Sequence, residues 1–349
     1  LLCNMNHIRL LKRFSSALND ANNIILEHLS HREIVRVKGP EVAQFLQGLI
    51  TNDMNHISEG HLPCMYTMFL NTKGRILHDG IVYSTRNPDT YLIECDCESA
   101  QAIEKHLKMY RIRRKIDVEA LGSEYKIWVV FDKSSSTFNE LSKPLIAMKE
   151  QFACPCSDPK KPVSKQNDIH VFRDPRLAAL GLRFITQENF NHDTIGKILG
   201  LPSANKQTSA NYRTHRYRLG IGEGCKDLPP EACFPLEANG DYLHAVSFNK
   251  GCYLGQELTA RTYHTGVIRK RLMPLYLENE FPSITNNDVI NISNETKASV
   301  GKLRGVDGTT GLALLRIAPA LAAQKLDVNG IASKTQKPEW WPKETKTSI

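Results

Sequence analysis

The sequence lacks the motifs that mark the commonest nucleotide-binding and hydrolytic folds. It contains no GxGxxG, P-loop or GxSxG segment, so nucleotide binding and acyl hydrolysis receive no support. Long apolar runs are also missing, since the best one, residues 311–323, contains Arg316 and Pro319. A helix that spans a bilayer needs about 20 apolar residues. We therefore expect no membrane partner.

Metal-ligand spacings are missing as well. The histidines form no HxxxH or HxH pair, and the cysteines form no CxxC pair. The nine cysteines are an odd number in a chain without a secretory signal, which argues against a disulfide framework. Because structural zinc and cluster sites need several grouped ligands, we expect no self-sufficient metal site.

The net charge of +8 is concentrated at the two ends of the chain. Residues 1–19 contain three cations and no acid, and residues 331–349 contain four lysines and two glutamates. The remaining body is only weakly basic, and no aromatic-studded basic stripe is present. Binding to nucleic acid is therefore not indicated.

The N-terminal segment has the composition of a targeting sequence. Residues 1–17 are apolar, basic, serine-containing and free of acids, which is typical of a mitochondrial transit peptide. The alternative is a frayed, exposed N-terminus. We assign residues 1–25 to the transit peptide and expect a mitochondrial protein.

Hydrophobic periodicity predicts an α+β body followed by an all-β region. Strands and helices alternate from residue 29 to about residue 131, and residues 133–168 form a polar, proline-punctuated insertion that we expect to be mobile. After Arg261 the pattern changes to short, regularly spaced strands, which indicates a small barrel or a sandwich. We place this unit at residues 266–330, after an α+β region at 26–265, and we predict a disordered tail at 331–349.

The densest group of unusual residues is KGCYLGQELTAR, from Lys250 to Arg261. It places the single thiol of Cys252 between Gly251 and Gly255, which permit a tight turn. A cation close to the thiol would favour the thiolate, the form that attacks electrophiles and binds soft metals. The alternative is that Cys252 is a small buried hydrophobic residue.

Four polar residues of this segment are candidates to support the thiol: Lys250, Gln256, Glu257 and Arg261. They would form a network that orients the turn and tunes the thiol. Glu257 and Arg261 are four residues apart, so a helix would place them on one face. The alternative is a solvated surface with one ion pair, which contributes little.

Polar residues in the N-terminal half are candidates to line a ligand cavity. Lys73 and Arg75 flank Gly74 in a predicted hairpin, which is either a solvent-exposed tip or a basic lip over an anionic ligand. Asp79 follows on the next strand. Asn52 and Asp53 either line the cavity or cap a helix.

Several of these segments together resemble the folate-binding aminomethyltransferase-like (YgfZ/GcvT-like) superfamily. The resemblance covers roughly residues 29–317, and its longest motif is Lys250 to Arg261. The shorter matches are FLQGLITND at 45–53, KGR at 73–75 with Asp79, YRIR at 110–113, DPR at 174–176 with Gly181 and Arg183, PLEAN at 235–239, and Gly266 with Arg271. With the transit-like start, the chain is most similar to the mitochondrial branch that assembles iron–sulfur clusters.

The resemblance implies a fold, a ligand and a set of partners. The fold would have three modules, two interwoven α+β domains around a central cavity and a C-terminal β-barrel. The cavity would be shaped for tetrahydrofolate. The protein would work in the mitochondrial matrix, as a monomer or in a heterodimer, with A-type scaffold proteins in the maturation of [4Fe–4S] proteins. Cys252 would be a ligand of a transient [2Fe–2S] cluster shared with the partner.

Two departures from the aminomethyltransferases of the superfamily argue against turnover. Our alignment places Ala102 where those enzymes carry a catalytic aspartate, and Gly220 where they carry the glutamate that holds the pterin ring. Glu223, three residues further on, is a candidate to replace that glutamate. We therefore expect an assembly factor without turnover, and the alternative is a tetrahydrofolate-dependent one-carbon (aminomethyl) transferase.

Overall fold

The computed structural model describes residues 23–134, 140–142, 145–146, 169–199, 201, 211–281 and 289–343 of the chain. Its strands, in chain order, are β1 (Ile24–His28), β2 (Arg32–Lys38), β3 (Cys64–Leu70), β4 (Ile76–Ser84), β5 (Thr90–Asp96), β6 (Asp117–Ala120), β7 (Tyr125–Asp132), β8 (Ile169–Arg173), β9 (Leu182–Gln187), β10 (Lys270–Leu277), β11 (Asn291–Asn294), β12 (Ser299–Asp307), β13 (Thr310–Arg316), β14 (Leu326–Val328) and β15 (Ile331–Thr335). Its α-helices are α1 (Val42–Gln47), α2 (Asn55–Ser58), α3 (Cys97–Arg111), α4 (His192–Leu199), α5 (Asn211–Arg218), α6 (Gly224–Asp227), α7 (Gln256–Thr265) and α8 (Ile317–Ala322).

The first module is an antiparallel sheet with the strand order β3-β4-β5-β2-β6. All seven residues of β3 are buried because both faces of the sheet are covered. One face packs on α1 and α3, and the other packs toward the second module. Helix α3 begins where the side chain of Asp96 accepts a hydrogen bond from the backbone N–H of Glu98, the usual N-cap interaction.

The second module is an antiparallel sheet with the order β1-β7-β9-β8. Strand β1 pairs with β7 here, although the next strand, β2, belongs to the first sheet. The chain thus passes between the two sheets, which confirms the predicted interwoven α+β architecture. Tyr66, Tyr83, Phe131 and Ile185 from the two sheets share one buried cluster.

The third module is a closed barrel with the order β10-β13-β12-β11-β14-β15. Of the two predicted possibilities, barrel or sandwich, the barrel is the one formed. Residues 331–335, which we predicted as disordered tail, form the last barrel strand, β15, and pair with β10 and β14. Trp340 Nε1 donates to the Leu219 carbonyl at 2.7 Å, so the following segment also docks on the body.

The helices and strands that we predicted between residues 29 and 131 are present, and their bounds differ from the predicted ones by a few residues. Several elements of the described residues were not predicted, namely β1, β8, β9, β14, β15, α2, α5, α6 and α8. The transit-like residues 1–17 lie outside the described residues, as does most of the 133–168 insertion. Among the described helices, none combines the length and apolarity that a bilayer crossing requires.

Candidate functional site

Cys252 lies exposed on the turn that leads into α7. The turn is anchored at its start by Lys250, whose ammonium donates to three backbone carbonyls. These acceptors are Gln47 at 2.7 Å, Ile50 at 2.8 Å and Asn52 at 2.7 Å, at and just after the C-terminal end of α1. A lysine in this position satisfies carbonyls that a helix end leaves free.

The contacts of Lys250 match one part of its predicted role, which is to orient the turn, and not the other part, which is to act on the thiol. Its ammonium donates three hydrogen bonds, all of them to backbone carbonyls and none to the thiol. The ammonium also lies 4.9 Å from the centre of the Tyr253 ring. Burial lowers the pKa of Lys250 to about 8, and the charge of Asp53 opposes part of this shift. Lys250 positions the turn beneath Cys252.

The other end of the turn is fixed by two glycines that meet face to face. Gly255 has a φ of +77°, and a Cβ there would lie 2.2 Å from the carbonyl oxygen of Asn71. Gly74 has a φ of +76°, and its Cβ would lie 2.9 Å from the carbonyl oxygen of Gly255. The predicted 73–75 hairpin and the Cys252 turn therefore pack directly against each other. Leu254 N–H adds a hydrogen bond to the Gly48 carbonyl at 3.0 Å.

The remaining members of the predicted network lie on α7. Gln256 Oε1 accepts a hydrogen bond from the Tyr253 N–H at 3.1 Å, which closes the turn. Glu257 and Arg261 are exposed one helical turn apart, and the ion pairs of the described residues include none between them. Of the four predicted supporting residues, Lys250 and Gln256 hold the turn, whereas Glu257 and Arg261 are available on its surface.

A cavity of about 770 Å³ lies between the first two modules and the segments that precede and follow the barrel. Asn52 and Tyr66 line it from the first module, Pro175 from the second, and Pro342 from the segment after the barrel. Residues on both sides of the Cys252 turn also line it: Phe248, Asn249, Tyr263 and His264. The rings of Phe248 and Tyr263 stack with centroids 3.5 Å apart at 10°. This volume and these aromatic walls suit a flat organic ligand.

Of the six predicted cavity residues, only Asn52 lines this cavity. Asp53 accepts hydrogen bonds from the Asn55 N–H and the Gln47 amide, so its side chain holds the backbone at the start of α2. Burial alone would raise the pKa of Asp53, but these hydrogen bonds lower it. Lys73 is exposed. Arg75 is held over the Phe234 ring at 4.5 Å and donates to the Glu231 carbonyl. The hairpin is therefore a structural brace for the Cys252 turn.

Asp79 and Glu223 are buried in or beside a charge cluster that joins the two sheets. Asp79 accepts hydrogen bonds from the Tyr66 hydroxyl at 3.2 Å and the Gly224 N–H at 3.0 Å, and burial raises its pKa. The charge cluster itself consists of four arginines and four carboxylates with nearly inaccessible side chains. Its members are Arg32, Arg176, Arg183, Arg216, Glu94, Asp174, Glu223 and Asp227.

Glu223 is the most heavily engaged carboxylate of the charge cluster. Its Oε2 accepts a hydrogen bond from Arg183 Nη2 and lies 2.8 Å from Arg176 Nη2. Burial alone would raise the pKa of Glu223, but the arginines, led by Arg183, hold it well below its usual range. Glu223 is therefore held by arginines inside the charge cluster and is not among the residues that line the cavity.

The residues present do not fit aminomethyl transfer to or from tetrahydrofolate. Ala102 is exposed on α3 and carries no acid. Gly220 has a φ of +71°, and a Cβ there would lie 2.9 Å from Pro274 Cδ, so this backbone has no room for a glutamate. The cavity could still hold a flat ligand, but Asp241, the carboxylate among its lining residues, is paired with Arg271 at 2.7 Å.

The charge cluster was not recognised as a unit from the sequence. Asp174, Arg176 and Arg183 were part of the family resemblance, but Arg32, Glu94 and Arg216 carried no signal of their own. A charged residue at a strand position that should be buried, such as Arg32 or Glu94, is the signal that could have identified them. Among the described residues, no group of three or more His, Cys, Asp or Glu side chains is arranged to hold a metal ion.

Comparison with known proteins places these features in a family. Residues 19–131 match the family described as the GCVT N-terminal domain, and residues 269–343 match the CAF17 C-terminal beta-barrel domain. The crystal structure of glycine cleavage system aminomethyltransferase T from Bartonella henselae superposes with a TM-score of 0.66 at 16% identity, covering 94% of this chain and 89% of that one. This likeness confirms the fold.

Relatives with much higher sequence identity carry one name. The iron-sulfur cluster assembly factor IBA57, mitochondrial, is 36% identical to this chain over 335 residues in Mus musculus, covering 91% of this chain and 86% of the relative. The Homo sapiens protein of the same name is 36% identical over 330 residues, covering 91% and 85%. A third relative, the IBA57 homolog of Dictyostelium discoideum, is 30% identical over 297 residues, covering 78% and 68%. With its aminomethyltransferase-like fold and its braced cysteine turn, the chain belongs to the IBA57 family of mitochondrial iron–sulfur cluster assembly factors.

Proposed function

We propose that this chain assists the maturation of [4Fe–4S] proteins in the mitochondrial matrix, by sharing a [2Fe–2S] cluster with an A-type scaffold partner through Cys252. The observation that carries the proposal is an exposed thiol on a turn that is fixed at both ends, in a chain 36% identical to named assembly factors. Cysteine thiolate is the usual ligand of such clusters. A thiol on a turn held at both ends loses less backbone conformational entropy on becoming a ligand than a thiol on a free loop.

The shared arrangement follows from the number of ligands. Each [2Fe–2S] cluster needs several protein ligands, and the described residues place no further grouped His, Cys, Asp or Glu side chains for a metal. The other ligands would therefore come from the partner. Joining two oxidised [2Fe–2S] clusters into one [4Fe–4S] cluster consumes two electrons, so an external reductant must accompany this step.

Folate remains a candidate ligand of the 770 Å³ cavity, in a binding rather than a catalytic role. The Phe248–Tyr263 stack offers a planar surface, and Asn249 and His264 are polar residues of the lining. The transferase alternative is weakened by Ala102, by the crowded Gly220 and by the engagement of Glu223 with arginines. Methylene-dependent turnover by the purified protein would revive that alternative.

The test combines the purified chain, without its first ~20 residues as a transit peptide implies, with a [2Fe–2S]-loaded A-type scaffold under anaerobic conditions. Visible absorption and circular dichroism are recorded for the wild type, Cys252→Ser and Cys97→Ser. Cys97 is the matched control because its thiol is also exposed. We expect a new cluster spectrum on a heterocomplex that disappears only in Cys252→Ser. An unchanged spectrum in Cys252→Ser would refute the role of this thiol.

A further inference from the structure

The turn after α3 combines positive charge with exposed apolar side chains. This basic turn, residues 108–115 with the sequence KMYRIRRK, contains five cations and no acid. Met109 is 64% exposed and Ile112 is 83% exposed, which are high values for large apolar residues. The YRIR motif within it belongs to the family resemblance, yet neither the cavity nor the Cys252 turn uses it.

The backbone of the basic turn holds Ile112 outward in a strained conformation. Ile112 has a φ of 49° and a ψ of −103°, a region that β-branched residues rarely adopt. Arg111 Nη1 donates to the Ile116 carbonyl at 2.7 Å, and Arg114 N–H donates to the Arg111 carbonyl at 2.9 Å, so the turn is fixed. Strain that the surrounding structure maintains at an exposed apolar residue indicates a functional surface.

Part of the charge of the basic turn is not compensated within the described protein. Lys108 pairs with Glu104, and the guanidinium of Arg114 lies 6.0 Å from the Phe45 ring centre. Arg113 and Lys115 are exposed, and no ion pair joins either of them to another described residue. These two cations and the two apolar tips therefore offer a charged, partly apolar surface to a partner.

The basic turn and the Cys252 turn are connected through α1. Arg114 contacts Phe45 of α1, and the Gly48 carbonyl after α1 accepts the Leu254 N–H. Phe45 and Gly48 are three residues apart, which is about 4.5 Å along a helix, so the two turns pack against the same short stretch of chain. A standard interface of about 800 Å² per partner is roughly 30 Å across. One partner can therefore cover both turns.

We infer that the basic turn is a second docking contact for the cluster-carrying partner, and that this partner presents carboxylates around a small apolar patch. This inference rests on the proposed function. Arginine and methionine are enriched in protein interfaces, and arginine binds carboxylates in bidentate geometry. Two apolar tips without an exposed aromatic side chain give too little area for stable binding to a membrane surface.

The test compares two charge reversals of equal size. Arg113→Glu/Lys115→Glu alters the basic turn, and Arg269→Glu/Lys270→Glu alters two exposed cations just before and at the start of β10. The Kd for a [2Fe–2S]-loaded A-type scaffold is measured by titration at low and at high salt. We expect the first variant to bind at least about tenfold more weakly at low salt and to lose most of the salt dependence. The second variant should stay within about twofold of the wild type.

The apolar part is tested with Ile112→Ser against Val267→Ser, since Val267 is 76% exposed and also β-branched. Only Ile112→Ser should raise the Kd. Wild-type affinity in both basic-turn variants, with the spectrum still lost in Cys252→Ser, would overturn the docking inference and leave the proposed function intact. The docking inference would also be overturned, in favour of a lipid surface, if the basic-turn variants lost binding to anionic phospholipid vesicles but kept wild-type binding to the scaffold. If the wild-type protein formed no complex with the scaffold, the proposed function itself would be refuted.

Discussion

The charge cluster and the Cys252 turn contain similar residue types but use them in opposite ways. In the charge cluster, four arginines and four carboxylates lie out of solvent, and each makes contacts inside the protein. At the Cys252 turn, a lysine is buried against carbonyls while the thiol is left in solvent. The first region joins two sheets, and the second presents a thiol to solvent.

The difference shows why a buried, perturbed charge is a poor guide to chemistry in this protein. Glu223 has a strongly lowered pKa, which often indicates an active site. Here the shift arises from arginines of both sheets and α5, so it reflects the joining of modules. The thiol to which we assign the chemistry in our proposal, that of Cys252, lies outside this cluster, on a turn held by Lys250 and Gly255.

We expect the largest effect on stability from the removal of one cation from the charge cluster. Arg183→Met would remove the cation that pairs with Glu94, Asp174 and Glu223 together, and it would leave four buried carboxylates of the cluster facing three arginines. Because an uncompensated buried charge is costly, we expect the free energy of unfolding to fall by about 3–5 kcal/mol. Urea denaturation followed by circular dichroism measures this loss.

The matched control is Arg36→Met, which removes an arginine from an exposed pair with Glu119. Its cost should be about 0–1 kcal/mol, because solvent screens exposed ion pairs. If the two variants lost equal stability, the charge cluster would not hold the sheets together in the way we describe. Glu223→Gln offers a second probe, and it should also destabilise the protein strongly.

The second prediction concerns the glycine contact that braces the Cys252 turn. Gly255→Ala would place a Cβ 2.2 Å from the Asn71 carbonyl oxygen on a backbone with positive φ. We expect a stability loss of about 1–3 kcal/mol and a displaced turn that forms less of the shared-cluster spectrum. Gly251→Ala is the control, since no atom lies within 4 Å of its added Cβ. Similar spectra for both variants would mean that the brace does not position the thiol.

The modular organisation could be predicted from the sequence because it depends on local periodicity. The buried run of β3, the amphipathic α3 and the regular barrel strands follow from the spacing of apolar residues. The pairing of β1 with β7, which lie about a hundred residues apart, could not be predicted from the sequence, because a short apolar run does not specify its partner strand. The last barrel strand, β15, was missed because its polar residues resemble a tail.

The candidate site could be predicted only in part. Cys252 and its glycines stood out because a single motif contains them. The roles of Lys250, Arg75 and Glu223 depended on partners distant in sequence: the end of α1, the Phe234 ring and the arginines of the charge cluster. Residue type alone suggested a ligand-binding role for Arg75 and Glu223, whereas the tertiary contacts give them structural roles.

The third and smallest effect tests the buried lysine through pH. The folded-state pKa of Lys250 is about 8, below the ordinary value of 10.5, because burial disfavours the ammonium. Across this window the unfolded chain binds more protons than the folded one, so the contribution of Lys250 to stability is complete above about pH 10.5 and is lost as the pH falls to about 8.

We therefore expect the wild type to gain stability relative to Lys250→Met between pH 8 and pH 10.5, by on the order of 1 kcal/mol. Taking the difference between the two proteins removes the titration of tyrosines and other lysines, which they share. Urea unfolding at three or more pH values provides the measurement. The opposite result would be a wild type that loses stability relative to Lys250→Met as the pH rises. It would mean that the hydrogen bonds to the Gln47, Ile50 and Asn52 carbonyls stabilise the ammonium more than burial disfavours it. In that case the brace of the Cys252 turn would be strongest in its charged form.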